Sequence, residues 1–147
     1  TRRLGSSSMF GDDGQIDSNY RECAFQRVLL EEYNFTCAFS GRRVQFGNLA
    51  ESLASVIKPI PDGGVLDFRN AIVLCPNFDW AFRSGLLAIN ADCRLKVSDL
   101  IKQHERSAPE YAELDGKEMH MPKSSFRSPS SEMLSWHREN VFVQHSA

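Results

Sequence analysis

The run Ala71-Ile72-Val73-Leu74-Cys75, closed by Pro76, constrains the fold more than any other part of the chain. Its branched apolar side chains fit a buried strand. Pro76 cannot continue that strand but suits the first turn of a helix, where its missing N–H is not needed. The segment from Pro76 to Ser84 carries Phe78, Trp80 and Phe82 and stops at Gly85, a residue suited to a left-handed helix cap. Upstream, Leu53 to Ile57 is a second short apolar run, halted by Pro59 and Pro61, and Pro61-Asp62-Gly63-Gly64 is loop chemistry. The order is therefore strand, loop, strand, helix.

Other elements are arranged around this centre. Tyr20 to Tyr33 has helical periodicity, with Ala24, Phe25, Val28, Leu29 and Tyr33 on one stripe and Asn34 as a stop. Thr36 to Phe39 reads as a short strand before a Ser40-Gly41 turn. Leu86 to Ile89 and Arg94 to Val97 predict a hairpin around Asn90-Ala91-Asp92, and Pro109 to Pro122 a second one turning at Asp115-Gly116. Ser128-Pro129 predicts the N-cap of a closing helix through Met133, Leu134, Trp136 and His137 towards Phe142. Residues 44 to 52 match no clear pattern.

At 147 residues, with 41% hydrophobic side chains, the chain suits one domain with a core that needs no staples. Residues 1 to 19, rich in Ser, Gly and Asp, read as a flexible arm or linker, and residues 20 to 147 as the domain. The chain opens on Thr1, so we expect an excised or processed domain whose upstream partners are missing. No apolar run approaches the roughly 18 residues of a membrane span. The net charge of −2, from 17 basic and 19 acidic residues, excludes a globally basic binder but not a local basic face. Cys23, Cys37, Cys75 and Cys93 form no C-x-x-C pair, which disfavours a structural zinc site. No signal peptide is evident, so the thiols are expected to be reduced and the protein cytoplasmic. Gly63-Gly64 lacks the flanks of a phosphate-binding loop.

The segment from Ala54 to Gly85 resembles the HNH endonuclease family, in particular the HNH domain of bacterial restriction endonucleases. Its residues Ala54-Ser55-Val56-Ile57-Lys58-Pro59, Gly63-Gly64, Asn70-Ala71-Ile72-Val73-Leu74-Cys75-Pro76, and Ala81-Phe82-Arg83-Ser84-Gly85 follow that family's frame in order. Cys37-Ala38-Phe39-Ser40-Gly41 upstream, with Leu114-Asp115-Gly116-Lys117 and Trp136 to Phe142 downstream, are similar to its other segments. The resemblance implies an α+β fold with a ββα core, a leading helix, and a C-terminal β-hairpin plus helix.

The resemblance also implies a chemistry that this sequence departs from. In the family a histidine ending the first strand acts as general base, and a helix histidine ligates a divalent metal that offsets developing phosphorane charge. Val56 stands at the first position and Asp79 at the second, while the middle Asn is present as Asn70. Arg83 replaces the family's Asp. Valine carries no titratable proton, and loss of a general base costs about 10²- to 10⁴-fold in rate. We therefore expect no intact catalytic set and no required cofactor. Asp79 is a weak metal candidate, more readily read as an acidic residue favoured at a helix N-terminus. With its chemical partners gone, Asn70 is read as a loop cap rather than a catalytic residue.

Three functions follow. The first is a degenerate, non-catalytic DNA-binding domain of a restriction or defence protein. Lys58, Arg69 and Arg83, with Arg42 and Arg43, would contact phosphate. The second is an active nuclease with a rebuilt Mg²⁺ site on Asp79, joined by Asp62 or Asp67. The third is a protein-interaction module that has lost DNA binding. His137 is expected to pack or hydrogen-bond locally, His104 and His120 to be exposed, and Trp80 and Phe82 to be core.

Overall fold

The computed structural model describes the backbone of residues 13–142 and the side chains of residues 22–142. In chain order the elements are α1 (Asp13–Glu32), β1 (Gln45–Phe46), β2 (Leu49–Ala50), β3 (Leu53–Val56), β4 (Ala71–Leu74), α2 (Pro76–Arg83), β5 (Leu87–Ile89), β6 (Leu95–Val97), α3 (Asp99–Gln103), α4 (Pro109–Ala112) and α5 (Ser131–Asn140). The mixture of helices with small antiparallel strand pairs is α+β. Among the described residues no helix is long and apolar enough to cross a membrane.

β3 and β4 pair antiparallel, with Leu53 opposite Leu74 and Val56 opposite Ala71. Every residue of β4 is buried, as the uninterrupted apolar run demands. The chain then turns into α2 at Cys75, and Asp79 N–H bonds back to the Cys75 carbonyl at 2.9 Å. α2 ends as expected: Gly85 adopts a φ of +83°, and Leu86 N–H reaches the Ala81 carbonyl at 2.9 Å. Phe82 on α2 is fully buried, whereas Trp80 is 54% exposed and does not join the core. Lying two residues apart, the two cannot share one face of a helix.

α1 begins at Asp13 rather than Tyr20, and residues 1–12 of the expected arm lie outside the described residues. Leu29 on it and Tyr33 just past its end are buried, but Ala24 is exposed. The helix stops where Asn34 and Phe35 both turn left-handed, at φ of +54° and +56°, with Phe35 N–H bonded to the Leu30 carbonyl.

Three further expectations are corrected here, and one unassigned stretch is placed. Thr36 to Phe39 forms no strand: Thr36 makes an isolated bridge to Arg43, and Gly41 N–H closes a turn onto the Cys37 carbonyl. Local β-propensity yields here to a turn that Ala38 N–H ties to the Val73 carbonyl of β4. The 44–52 stretch, without a clear pattern in sequence, is a small hairpin of β1 and β2. The hairpin at Asp115-Gly116 is absent. Pro109 instead starts α4, and residues 116–119 run along β6 through Gly116 N–H to Leu95 O and Leu95 N–H to Lys117 O. The cap of α5 is Ser130, not Ser128, because the Ser130 hydroxyl accepts the Glu132 N–H. The hairpin of β5 and β6 matches its expected place, with Cys93 left-handed at its turn.

His137 of α5 is buried and stacks on Phe82 with centroids 3.8 Å apart. Its Nε2 lies 2.8 Å from the Phe82 carbonyl, an oxygen that only accepts, so Nε2 carries the proton. Nδ1 has no partner. Burial pushes the imidazole pKa down from its ordinary 6.5 to about 4. The unfolded chain therefore takes up this proton first as pH falls, and the neutral ring's contribution is intact above pH 6.5 and lost on the way to pH 4. Going from about pH 7.5 to pH 5 should remove roughly 2 kcal/mol of stability through this residue. Urea titrations of wild type and His137→Gln at both pH values check this; an equal slope in the two proteins would refute it.

Candidate functional site

The loop that joins β3 to β4 carries most of the residues singled out in the sequence. It leaves β3 at Val56, makes a 3₁₀ turn at Ile60–Asp62, and returns through a second at Phe68–Asn70. Asp67 caps the second turn by accepting the Arg69 N–H at 2.9 Å. The Ile57 N–H bonds the Asn70 carbonyl and so extends the strand pairing by one step.

Asn70 organises the inside of this loop. Its Oδ1 accepts the Lys58 N–H at 2.9 Å, and its Nδ2 donates to the Lys58 carbonyl at 3.0 Å and the Val65 carbonyl at 2.8 Å. The side chain is 2% exposed, so these three bonds replace water that cannot reach the same groups. Gly64 makes the closure possible. A Cβ there would overlap the Lys58 carbonyl group and crowd Asn70 Nδ2. A glycine is required by close approach, not by turn geometry.

Val56 is half-buried beside this loop and offers no donor atom. Asp79 lies in the first turn of α2, nearly buried, and its Oδ2 accepts both Arg83 Nε at 3.1 Å and Arg83 Nη2 at 2.8 Å. Arg83 stands one helical turn further on, in the i, i+4 relation that brings such pairs together. Both bonds go to the same carboxylate oxygen, Oδ2. No group of three or more His, Cys, Asp or Glu is gathered around a common point among the described residues. Val56 offers no ligand atom from its side chain, and Oδ2 of Asp79 is taken by Arg83.

The basic residues separate into two regions. Lys58 and Arg69 flank the Asn70-pinned loop. Lys58 Nζ lies 5.5 Å over the Trp136 ring, and Arg69 Nε donates to the Ser128 carbonyl at 3.0 Å while Ser130 N–H bonds the Arg69 carbonyl. The start and body of α5 thus pack against both ends of the loop. Arg42 and Arg43 lie just before β1 instead. Arg42 makes a fork to Glu51, at 2.6 Å and 3.4 Å, and Arg43 bonds Asn34 O and Gln45 Oε1.

Arg127, not singled out from sequence, joins the first region. Its guanidinium sits 4.7 Å over Phe68, which stacks on Phe25, and it pairs with Glu32 at 2.9 Å. The Ser124 N–H and hydroxyl also bond Glu32, and they hold its carboxyl below the ordinary range together with Arg127. Nothing local marks Arg127, because its ion-pair partner Glu32 is 95 residues away in sequence. Phe126 beside it is 71% exposed, and Ile60, Val65 and Leu66 add exposed apolar side chains on the loop.

No protein-family model matches the chain, and neither does a curated protein. Among solved structures, a modification-dependent TagI restriction endonuclease is similar, with a TM-score of 0.59 and 17% sequence identity. The match covers 80% of this chain and 37% of that protein, so the chain spans little more than a third of its length. At that identity the likeness is one of fold: over most of its length, this chain folds like part of a restriction endonuclease.

Proposed function

We propose that this chain is a degenerate HNH endonuclease-like domain with a ββα core, which binds DNA without cutting it, within a larger restriction or defence protein. The observation that carries this reading is the contrast within one site. The loop between β3 and β4 is pinned at Lys58 and Val65 by Asn70, while the flanking motif positions carry Val56 and an Asp79 paired with Arg83. A scaffold kept after its chemistry is lost is suited to binding. Lys58 and Arg69 at the two ends of the loop, with Arg83 on α2, supply the phosphate contacts in this reading, and no metal is needed for them. The restriction endonuclease likeness supports DNA as the partner.

The test is a plasmid-nicking assay at low salt with Mg²⁺, Mn²⁺ or EDTA, paired with a gel shift on the same samples. Binding in EDTA and no nicking by the wild type are expected. Metal-dependent nicking by the wild type that disappears in Asp79→Ala would establish the rebuilt Mg²⁺ site instead. The double variant Val56→His/Asp79→His is expected to gain metal-dependent nicking only if the scaffold still holds a scissile phosphate.

Binding is expected to weaken steeply with salt. Arg69→Ala should flatten the slope of log K against log salt by about 1, as expected when one phosphate contact is removed. An unchanged slope would remove Arg69 from the interface. One observation favours a second reading, a protein-interaction module: Arg42, Arg83 and Arg127 are each paired with an acidic side chain of the same chain. Salt-independent behaviour with no gel shift would favour that reading.

A further inference from the structure

Two Phe-Arg pairs far apart in sequence, Phe68-Arg69 and Phe126-Arg127, lie in two 3₁₀ turns that hold each other. The first turn is on the β3–β4 loop, and the second spans Ser125–Arg127 ahead of α5. The Arg127 guanidinium lies 4.7 Å over the Phe68 ring, and Arg69 Nε donates to the Ser128 carbonyl at 3.0 Å. A row of ring contacts runs through this junction. It starts at the edge of the core, where Phe25 stacks on Phe68 with centroids 4.9 Å apart and planes 14° from parallel. It ends at Phe126, whose centroid is 5.4 Å from the same guanidinium and which is 71% exposed.

The segment that carries this last ring is tied down. Glu32 accepts from Arg127 Nη1 at 2.9 Å and from the Ser124 N–H and hydroxyl. The Lys123 N–H bonds the Glu32 carbonyl at 2.8 Å, and the Arg127 N–H closes the turn onto the Ser124 carbonyl at 2.9 Å. Little backbone freedom is left to lose when a ligand meets the ring. A single exposed apolar side chain needs no explanation of its own. What distinguishes Phe126 is its setting. Arg127 touches the ring, and two exposed cations accompany it, Lys123 in the same segment and Arg69 on the facing turn. Neither of the two makes an ion pair among the described residues. Asp67, the acid next to Phe68, is engaged as the cap of its own turn.

An aromatic face among unmatched cations suits an unpaired strand: a base stacks on the ring, and the cations take its phosphates. A base inside an intact duplex is already stacked on both sides and cannot meet a ring without leaving its neighbours. We propose that Phe126 is a stacking platform for an unpaired DNA base, with Arg69 and Lys123 on the adjacent phosphates. This rests on the DNA-binding reading and adds to it the form of DNA preferred, a single or locally opened strand.

The experiment follows the fluorescence anisotropy of three labelled probes of equal length at low salt in EDTA: oligothymidylate, a mixed-sequence duplex and an abasic strand. Phe126→Ala should bind oligothymidylate at least about fivefold more weakly than wild type, the low end for losing one stacked base. The duplex and the abasic strand keep their phosphates but offer no free base, so on them the two proteins should agree within about twofold. The slope of log K against log salt should stay as in wild type, because no phosphate contact is removed. Phe126→Trp should retain binding. Phe46→Ala, which removes a ring 74% exposed on the β1–β2 hairpin, should behave as wild type. Equal affinity of wild type and Phe126→Ala for oligothymidylate, a loss of the same size on all three probes, or the same loss in Phe46→Ala would overturn the proposal. Salt-dependent duplex binding in any of those cases would leave the DNA-binding reading standing. Failure of the wild type to bind any probe would remove that reading and this proposal together.

Discussion

Asn70→Asp is expected to cost about 4 kcal/mol of stability, the range for a buried charge left without a partner. The substitution preserves shape and the acceptor for the Lys58 N–H, but it removes both donors. A carboxylate oxygen would then face the Lys58 and Val65 carbonyls, which can only accept. Burial at 2% exposure leaves no water to separate them. Asn70→Ala should cost less, about 2 to 3 kcal/mol, because it leaves three backbone groups short of partners but adds no charge. Urea unfolding at neutral pH separates the two, and equal losses in both variants would show that the buried carboxylate adds no cost beyond the lost hydrogen bonds. Protonation would relieve the Asp variant, so its deficit should shrink towards that of Ala as the pH is lowered.

Gly64→Ala is expected to destabilise by about 3 kcal/mol or more, the upper part of the range for overpacking against a rigid wall. The obstacle is backbone: the added Cβ would meet the Lys58 carbonyl, which Asn70 already holds in place. A flexible side chain could move aside, but this group cannot move without giving up its hydrogen bond. The loop should open locally before the domain unfolds, so limited proteolysis between Lys58 and Val65 should speed up in the variant. Gly63→Ala is the control for space: its Cβ would meet only the far end of the Lys58 side chain, although a φ of +98° strains any replacement there. A Gly64→Ala protein as stable as wild type and equally resistant to protease would contradict the close approach. Because both residues act on one loop, combining Gly64→Ala with Asn70→Ala should cost less than the sum.

The same loop shows how much was legible beforehand. The strands at Leu53 and Ala71, the helix opened by Pro76 and its stop at Gly85 follow from short-range signals: branched side chains, proline, glycine. So does the stop at Asn34, whose small polar side chain tolerates the left-handed conformation. The elements that were misread depend on partners far away. Cys37 to Phe39 has strand-like residues, but its tie to Val73 leaves room for a turn alone. Asp115-Gly116 resembles a hairpin turn, yet the chain that precedes it is helical and the chain that follows borrows the edge of β6.

The candidate site divides in the same way. Sequence by itself determined what cannot be there: a base at Val56, and a histidine at Asp79. It also placed Asn70 and the glycines in one loop, since all lie within one short segment. Only tertiary structure decided that Asn70 bonds Lys58 and Val65, that Lys58 rests on Trp136, and that Arg127 lies over Phe68. The reason is physical. Backbone conformation and missing functional groups are properties of neighbouring residues, whereas these contacts join segments whose separation in the chain carries no information about their distance in the fold.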